Sequence, residues 1–278
     1  MSYPVQFPVG GEPILTLTHP SASIWIIELH NGDDSRLTQL LVDKCLKPAL
    51  DAVERHWRED RRKAIAAKDK EGGNGALIIV GNTTQDKFFS NGLDFARISG
   101  DSNFFANSFD PLLKRILLFP IPTIAAINGH CFAGGMMLSL ACDYRVMTDA
   151  SKRNAWMSMN EVHFGAPWPH SFASLLRAKV ASVQLQRKIA LEGHRFTPAE
   201  ARDAGLVDYL VPGNTAAVLK AAQDVAERVS PLAKTGVFGL IKGRHCQTDL
   251  YRNAAENIDR QLRFVNAEID DTAAKARL

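Results

Sequence analysis

The sequence predicts an α/β fold in which buried strands end in glycine turns and pass directly into helices. Three observations carry this expectation. Gly75-Ala-Leu-Ile-Ile-Val-Gly81 and Pro122-Thr-Ile-Ala-Ala-Ile-Asn-Gly129 are short apolar runs bounded by turn residues, the pattern of parallel strands buried on both faces. Each leads to a glycine turn with helix-forming residues behind it: Phe88-Phe-Ser-Asn-Gly-Leu-Asp-Phe95 after the first, and Ala133-Gly-Gly135 with Met136, Met137, Leu138, Leu140 and Ala141 after the second. Beyond Val211-Pro-Gly-Asn214 the composition turns to alanine-rich helix without strand signals.

Taken in order, residues 14–17 and 24–29 read as a hairpin turning at His19-Pro20-Ser21. A helix follows over about 38–67, interrupted by Pro48, and its charged second half, 54–70, reads as a solvated face running into the loop Glu71-Gly-Gly-Asn-Gly75. Over 104–118, Phe105, Phe109, Leu112, Leu113, Ile116 and Leu117 recur at helical spacing, a stripe for the core. Thr197-Pro-Ala-Glu200 is a capping box with proline at the first helical position, and Gly205 closes that helix. Helices at 215–229 and 231–264 complete the chain. On this reading residues 1–200 form the core that carries the site, and 201–278 a helical region.

The two glycine turns suggest chemistry. Gly134 and Gly135 lack a β-carbon and so open the first turn of their helix, where unpaired N–H groups and the helix dipole favour negative charge. Asn91-Gly92 is a turn that exposes the N–H of Leu93, with Asp94 placed to cap the next helix. Alone, each turn serves close packing. Together, after strands of one α/β series, they can converge on a single oxygen as a two-donor oxyanion hole. Glu161 stands between Met159 and Val162-His-Phe-Gly165; on composition alone it is a solvated loop carboxylate. His163, two residues on, shares its face if the segment is extended. Trp168, between Pro167 and Pro169, is a rigid aromatic that suits either a tunnel wall or a core. His130 and Asp143 read as structural, and Ser139 has no G-x-S-x-G elbow around it.

The segments FFSNGLDF, PIPTIAAINGHCFAGGMMLSLACDYRV, WMSMNEVHFGAPW and EGHRFTPAEARDAGLVDYLV, in this order and spacing, resemble the crotonase (enoyl-CoA hydratase/isomerase) superfamily over about 24–211. Within it the chain looks most like the monofunctional Δ3,Δ2-enoyl-CoA isomerases. The resemblance implies a crotonase-type spiral of repeated β-β-α units, with a C-terminal helical region that closes the site and builds a trimer or hexamer. It implies an acyl-CoA thioester substrate, with coenzyme A entering as part of that substrate and no separate cofactor. Carried over residue by residue, it makes the backbone N–H groups of Leu93 and Gly134 the oxyanion hole and Glu161 the catalytic base. Asn91, Gly92, Asp94, Gly135, Met137 and Trp168 then surround the substrate. Hydratases of the family carry two glutamates, and the first of those positions falls on Met137, which neither takes a proton nor holds water well. The implied reaction is therefore one-base conversion of 3-enoyl-CoA to trans-2-enoyl-CoA in fatty-acid β-oxidation. An enoyl-CoA hydratase, a thioester hydrolase and a scaffold that has lost catalysis are the alternatives. Arg36 lies where the family's chain passes the CoA moiety, and Lys242 and Arg244 are candidates for its nucleotide end against the default of surface charge.

Composition sets outer bounds. A net charge of +3 gives no basis for nucleic-acid binding. Cys45, Cys131, Cys142 and Cys246 lack C-x-x-C spacing and read as free thiols of a reducing compartment. No window approaches twenty apolar residues, so no membrane span is expected, and neither a metal-ligand spacing nor a G-x-G-x-x-G fingerprint calls for a metal or redox cofactor. The tripeptide Ala276-Arg-Leu278 is similar to the S-K-L address, which points to an import receptor and the peroxisome, with cytoplasm or mitochondrion as the other locations.

Overall fold

Apolar runs separated by glycine turns build one mixed and one parallel sheet in the computed structural model, which describes residues 2–98, 100–101 and 103–245. In chain order the elements are β1 (Val5–Phe7), β2 (Leu15–Ser21), β3 (Ile24–Leu29), α1 (Lys47–Ala66), β4 (Ala76–Gly81), β5 (Phe88–Ser90), α2 (Phe95–Ile98) and α3 (Asp110–Leu117). Then come β6 (Thr123–Ile127), β7 (His130–Phe132), α4 (Gly134–Ala141), β8 (Tyr144–Thr148), β9 (Met157–Ser158), α5 (His170–Lys179) and α6 (Val183–Ala190). The described chain ends with α7 (Pro198–Asp203), β10 (Tyr209–Val211), α8 (Thr215–Val229) and α9 (Phe238–His245).

The larger sheet has the order β1-β2-β3-β4-β6-β8-β10, antiparallel over its first three strands and parallel from β3 onward. All residues of β4 and β6 are buried because both faces are covered. On one face Ile24, Ile26, Ala76, Ile78, Val80, Ile124 and Ala126 meet Val218, Ala222, Val225 and Ala226 of α8. On the other, Trp25, Ile27, Leu77, Ile79, Ala125 and Ile127 join the main core with α1 and α3. Two-sided burial removes the alternation that a half-exposed strand would show, which is why these strands read as continuous apolar runs. Buried Asn128 fastens the layers: its Oδ1 accepts the Gly81 N–H at 3.1 Å and its Nδ2 donates to Thr215 Oγ1, at the start of α8, at 3.2 Å.

The smaller sheet is β5-β7-β9, all parallel. The sequence reading has no counterpart for β7 and β9, which at three and two residues are too short to show a period.

Several local expectations are corrected. The first hairpin turns at Ala22-Ser23, and His19, Pro20 and Ser21 belong to β2, where the register against β3 shifts between Thr18 and Ser21. The shift leaves Pro20 outside the ladder, where its missing N–H costs nothing. Pro48 does not interrupt its helix. The turn before it, Leu41–Leu46, is π-helical, Lys47 donates to Val42 O, and Pro48 falls in the first turn of α1, where no donor is required. The charged half of α1 is only partly solvated: Glu54 is buried between Arg58 (2.7 Å) and Arg115. Burial alone would raise the Glu54 carboxyl, but Arg115 and Arg58 outweigh it and hold the group below the usual range. Arg61 donates to the carbonyls of Lys234 (2.9 Å) and Thr235 (2.8 Å), clamping the chain beyond α8.

The helix expected over 231–264 is broken at its start, by a 3₁₀ turn at Ser230–Ala233 and by Gly236 at φ +77°, before α9. Residues from 246 onward, including Cys246 and Ala276, Arg277 and Leu278, lie outside the described residues, as does the last part of the 201–278 region expected to oligomerise. Lys242 is committed to Asp143 at 2.9 Å, with both side chains nearly buried, so it does not serve as a free cation for a nucleotide. Cys45, Cys131 and Cys142 are buried free thiols, and burial pushes them up to about 11, 12 and 12. Among the described residues no helix is long and apolar enough to cross a membrane.

Candidate active site

Strands of a parallel sheet all end on the same edge, and ligands of α/β folds gather there. In the smaller sheet that edge carries Asn91-Gly92-Leu93 after β5, Ala133-Gly134 after β7, and Met159-Asn160-Glu161 after β9. Three stretches far apart in sequence are thereby delivered to one place.

The first two loops interlock through their glycines. Gly92 has φ +83°, and a Cβ on it would lie 2.7 Å from Ala133 Cβ, 2.8 Å from Phe132 O and 3.1 Å from Gly134 N. A Cβ on Gly134 would lie 2.8 Å from Leu93 Cγ and 3.4 Å from Leu93 N. One on Gly135 would strike Ser90 O at 2.7 Å. The missing β-carbons therefore let the Leu93 and Gly134 amides approach each other, which no side chain at these positions would allow. Among the described residues neither N–H has a backbone acceptor outside regular secondary structure, and Gly134, as the first residue of α4, has none inside it. Ala133 is held at φ +50°, ψ −124°, a conformation strained for alanine. Its N–H donates to Ser158 O at 2.8 Å and its carbonyl accepts from Met137 N at 3.1 Å, which ties the strained residue to β9 and to the helix it starts.

A segment that sequence reasoning did not single out braces the Leu93 turn. Asn91 N–H donates to Asp34 O (2.9 Å) and its side-chain amide to Asp34 Oδ2 (2.8 Å). Ser90 Oγ donates to Ser35 O (2.8 Å) and accepts from Gly92 N (3.2 Å), and Leu37 N donates to Gly92 O (2.8 Å). Ser35 itself is buried at φ +48°. Asn91 is thus turned to Asp34 and acts as a buttress of the turn. Arg36 pairs with Asp34 (3.0 Å) and reaches Leu93 O at 3.4 Å. The only sequence signal here was Arg36, since an Asp-Ser pair in a loop carries no pattern of its own.

Glu161 opens a 3₁₀ turn, Glu161–His163, and is 7 % exposed. Its Oε2 is buried with no hydrogen-bond partner among the described residues. Burial pushes its carboxyl above the ordinary glutamate range; hydrogen bonds from its own backbone and from the Trp168 indole oppose this without cancelling it. The glutamate that composition alone would leave in solvent is a desolvated acid. The extended geometry considered for His163 is not found: the segment is helical, and His163 Nε2 lies 3.3 Å from Gly193 O, packed against that glycine.

Met137 is fully buried one turn into α4 from Gly134, on the same side of the helix. Trp168 is half-buried, packs on the main core and meets Phe172 edge-on at 6.0 Å, and Phe172 in turn contacts Phe105 and Phe109. Trp168 therefore packs on the core, and its indole hydrogen-bonds to the Glu161 carboxyl. Asp94 pairs with Arg97 at 3.3 Å at the start of α2. His130 accepts from Trp156 N (3.2 Å) and stacks between Phe132 and Trp156; Asp143 accepts from Thr123 N and Oγ1 (both 2.9 Å) as well as Lys242. Ser139 is buried and donates to Met136 O. All three are structural.

The arrangement brings the backbone amides of Leu93 and Gly134 close together and, at the neighbouring strand end, a carboxyl whose neutral form burial favours. A thioether occupies the helix position one turn from these amides.

Comparison with known proteins places these features in context. The family model for enoyl-CoA hydratase/isomerase matches residues 42–270. The chain is similar to "Enoyl-CoA delta isomerase 2, peroxisomal" of Arabidopsis thaliana, with 34% identity over 165 residues, 56% of this chain and 67% of the relative. It is also similar to "Enoyl-CoA delta isomerase 1, peroxisomal" of the same plant, with 28% identity over 223 residues, 79% of this chain and 84% of the relative. Among solved structures, an enoyl-CoA hydratase of Mycobacterium ulcerans Agy99 superimposes with a TM-score of 0.68 at 23% identity, over 92% of this chain and 99% of the other. That likeness bears on the fold, which is of the crotonase type the sequence led us to expect.

Proposed function

The chain belongs to the enoyl-CoA hydratase/isomerase family, and on that premise we propose that it is a Δ3,Δ2-enoyl-CoA isomerase that moves a double bond with one base. The observation that carries the reading is the pairing of Glu161, buried with an unpartnered carboxyl oxygen, with Met137 where a hydratase of the family has its first glutamate. The 34% identity to an enoyl-CoA delta isomerase of Arabidopsis supports it.

In the proposed reaction the thioester oxygen accepts the N–H groups of Leu93 and Gly134. Glu161 removes a proton from C2 of the 3-enoyl group, and the electron pair moves to give a dienolate whose charge rests on that oxygen. Each donor is worth about 3–4 kcal/mol at this point, judged from other oxyanion holes. The protonated Glu161 then returns its proton to C4, leaving the double bond between C2 and C3. A desolvated carboxylate is a stronger base than a solvated one, which suits removal of a weakly acidic C–H proton. Hydration requires in addition a water that is positioned and deprotonated, and Met137 supplies neither function. Residence in the peroxisome is part of the proposal, supported by the peroxisomal relatives, and so is assembly as a trimer or hexamer, which a sedimentation measurement reads directly.

The test is a product assay. The purified protein and its Glu161→Gln variant are offered 3-hexenoyl-CoA and 2-hexenoyl-CoA separately, and products are resolved by chromatography and mass. Conversion of the 3-isomer without mass change, slow gain of water by the 2-isomer and an inactive variant are expected. Rapid hydration makes the protein a hydratase, and release of free thiol makes it a hydrolase.

A further inference from the structure

At the amino end of β3 the fold assembles a donor set that the sequence spacing does not reveal. His19 of β2 and His56 and Asp60 of α1 bring candidate ligand atoms that all lie within 4.8 Å of one another. His56 and Asp60 are one helical turn apart, with His56 Nε2 3.2 Å from Asp60 Oδ2. His19 is delivered by the irregular stretch of β2, where a register shift re-aims the side chains.

Both imidazoles are already fastened by their other nitrogen. His19 Nδ1–H donates to Ile24 O at 2.9 Å, which leaves the lone pair on Nε2. His56 Nδ1 lies 2.9 Å from Tyr3 Oη, and that oxygen also accepts the Trp25 Nε1–H at 3.1 Å. In the free site the Trp25 Nε1–H also reaches His56 Nδ1 at 3.3 Å, so Nδ1 accepts and the ring proton sits on Nε2, toward Asp60; with an ion on Nε2 the ring proton belongs on Nδ1, where Tyr3 Oη can accept it. Metal-bound histidines carry this kind of outer hydrogen bond, which fixes the tautomer and the ring plane. The rings are wedged as well: His19 stacks on Trp25 at 4.4 Å and meets the His56 edge at 4.9 Å. Tyr3, His19, His56 and Asp60 are each half-buried, so the site is ordered yet reachable. Lys63, at 3.4 Å from the other Asp60 oxygen, is largely exposed and free to swing aside.

We propose that His19 Nε2, His56 Nε2 and the Asp60 carboxylate bind one divalent transition-metal ion of the zinc type, with water completing its coordination. Two neutral imidazoles and one carboxylate suit Zn2+, Co2+, Ni2+ or Cu2+ over Mg2+ or Ca2+, which prefer all-oxygen sets. On binding, the ion takes the place of the proton that otherwise lies between His56 and Asp60. The cluster lies by Ile24, which pairs with Ala76 at the start of β4, whereas Gly81 at the other end of β4 abuts Phe88 and Phe89 of the catalytic sheet. A six-residue strand, about 20 Å, thus separates the ion from the candidate active site. Its role is to clamp the first hairpin to α1.

The test uses tag-free, chelator-stripped full-length protein titrated with Co2+, then Zn2+. One equivalent of Co2+ with visible ligand-field bands is expected, displaced by Zn2+, together with a Tm that rises with Zn2+ and a turnover that chelator leaves unchanged. His19→Asn and Asp60→Asn should each weaken Co2+ binding by about tenfold or more. Asp60→Asn keeps the size and shape of a half-buried side chain, so this variant keeps the fold even where the His19 variant is destabilised. Absence of a saturable equivalent, bands with the strong charge-transfer absorption of a thiolate ligand, or affinity unchanged in Asp60→Asn overturns the proposal.

Discussion

Replacing Gly92 by alanine tests whether the two glycine turns act as one device. The added methyl meets three obstacles: Ala133 Cβ at 2.7 Å, Phe132 O at 2.8 Å and Gly134 N at 3.1 Å. It also places an alanine at φ +83°, which costs about 1–2 kcal/mol by itself. Moving two loops apart by a few tenths of an ångström against the Asp34 and Ser35 hydrogen bonds adds about 1–3 kcal/mol of the kind seen on overpacking. The sum, about 2–5 kcal/mol, leaves a protein of ordinary stability folded but weakened. The effect on turnover should be larger than that on binding, because the separation opens between the Leu93 and Gly134 amides, where the proposed reaction puts the transition-state oxygen. Loss of one donor's geometry lowers kcat by about 10²–10³. The assay is steady-state isomerisation of 3-hexenoyl-CoA with kcat and KM resolved, alongside denaturant unfolding. A folded variant with wild-type kcat would show that the Leu93 and Gly134 amides do not act together on the substrate.

Other outcomes follow from single residues. Glu161 must be ionised to act as a base, and burial raises its pKa, so kcat/KM should fall on the acid side at a higher pH than for a solvated glutamate; a pH–rate profile reads this limb. For stability the sign is fixed by the same shift. The folded state holds the Glu161 proton more tightly than the unfolded chain, so stability is lost as pH rises from the unfolded pKa through the folded one. Glu161→Gln, which carries no charge, should therefore be more stable than the wild type at pH 7 and lose that advantage below pH ~4 in urea unfolding. Lys242→Met strands Asp143 in a nearly buried position and should cost about 3–5 kcal/mol in the same assay, whereas a nucleotide-binding role would show instead as a raised KM.

How far the sequence could be read depended on whether each residue's role is local. The run Thr123–Ile127 and the start of α4 at Gly134 were legible because buried strands and glycine-opened helices leave contiguous marks. The capping box at Thr197 was legible for the same reason, as a four-residue pattern. Asp34 was not, because the turn it braces, at Asn91, is joined to it only by the fold. Strands of two or three residues such as β7 and β9 hold no period, yet they set the common edge from which Leu93, Gly134 and Glu161 emerge. The burial of Glu161 was equally hidden: the exposure of a loop carboxyl is decided by what packs over it, and Trp168 lies seven positions downstream in sequence.

Met137→Glu asks the sharpest question of the reaction class, since it puts back the carboxylate whose absence the isomerase reading relies on. The thioether is fully buried. A charge in its place would cost about 3–5 kcal/mol if nothing paired it, so the new group will take up a proton when it can. A protonated acid and an ionised Glu161 side by side form a coupled pair that titrates in two steps, the state in which one member can hold a water and the other deprotonate it. The variant is therefore expected to be less stable than the wild type, to lose isomerase turnover, and to gain measurable addition of water to 2-hexenoyl-CoA, detected as an increase of one water in product mass. The gain must disappear in the double variant Met137→Glu/Glu161→Gln, because hydration then lacks its base. Should the single variant stay folded and add no water while the wild type already hydrates, the residue on α4 does not select between the two reactions, and the choice must lie in how the acyl chain is held against Glu161.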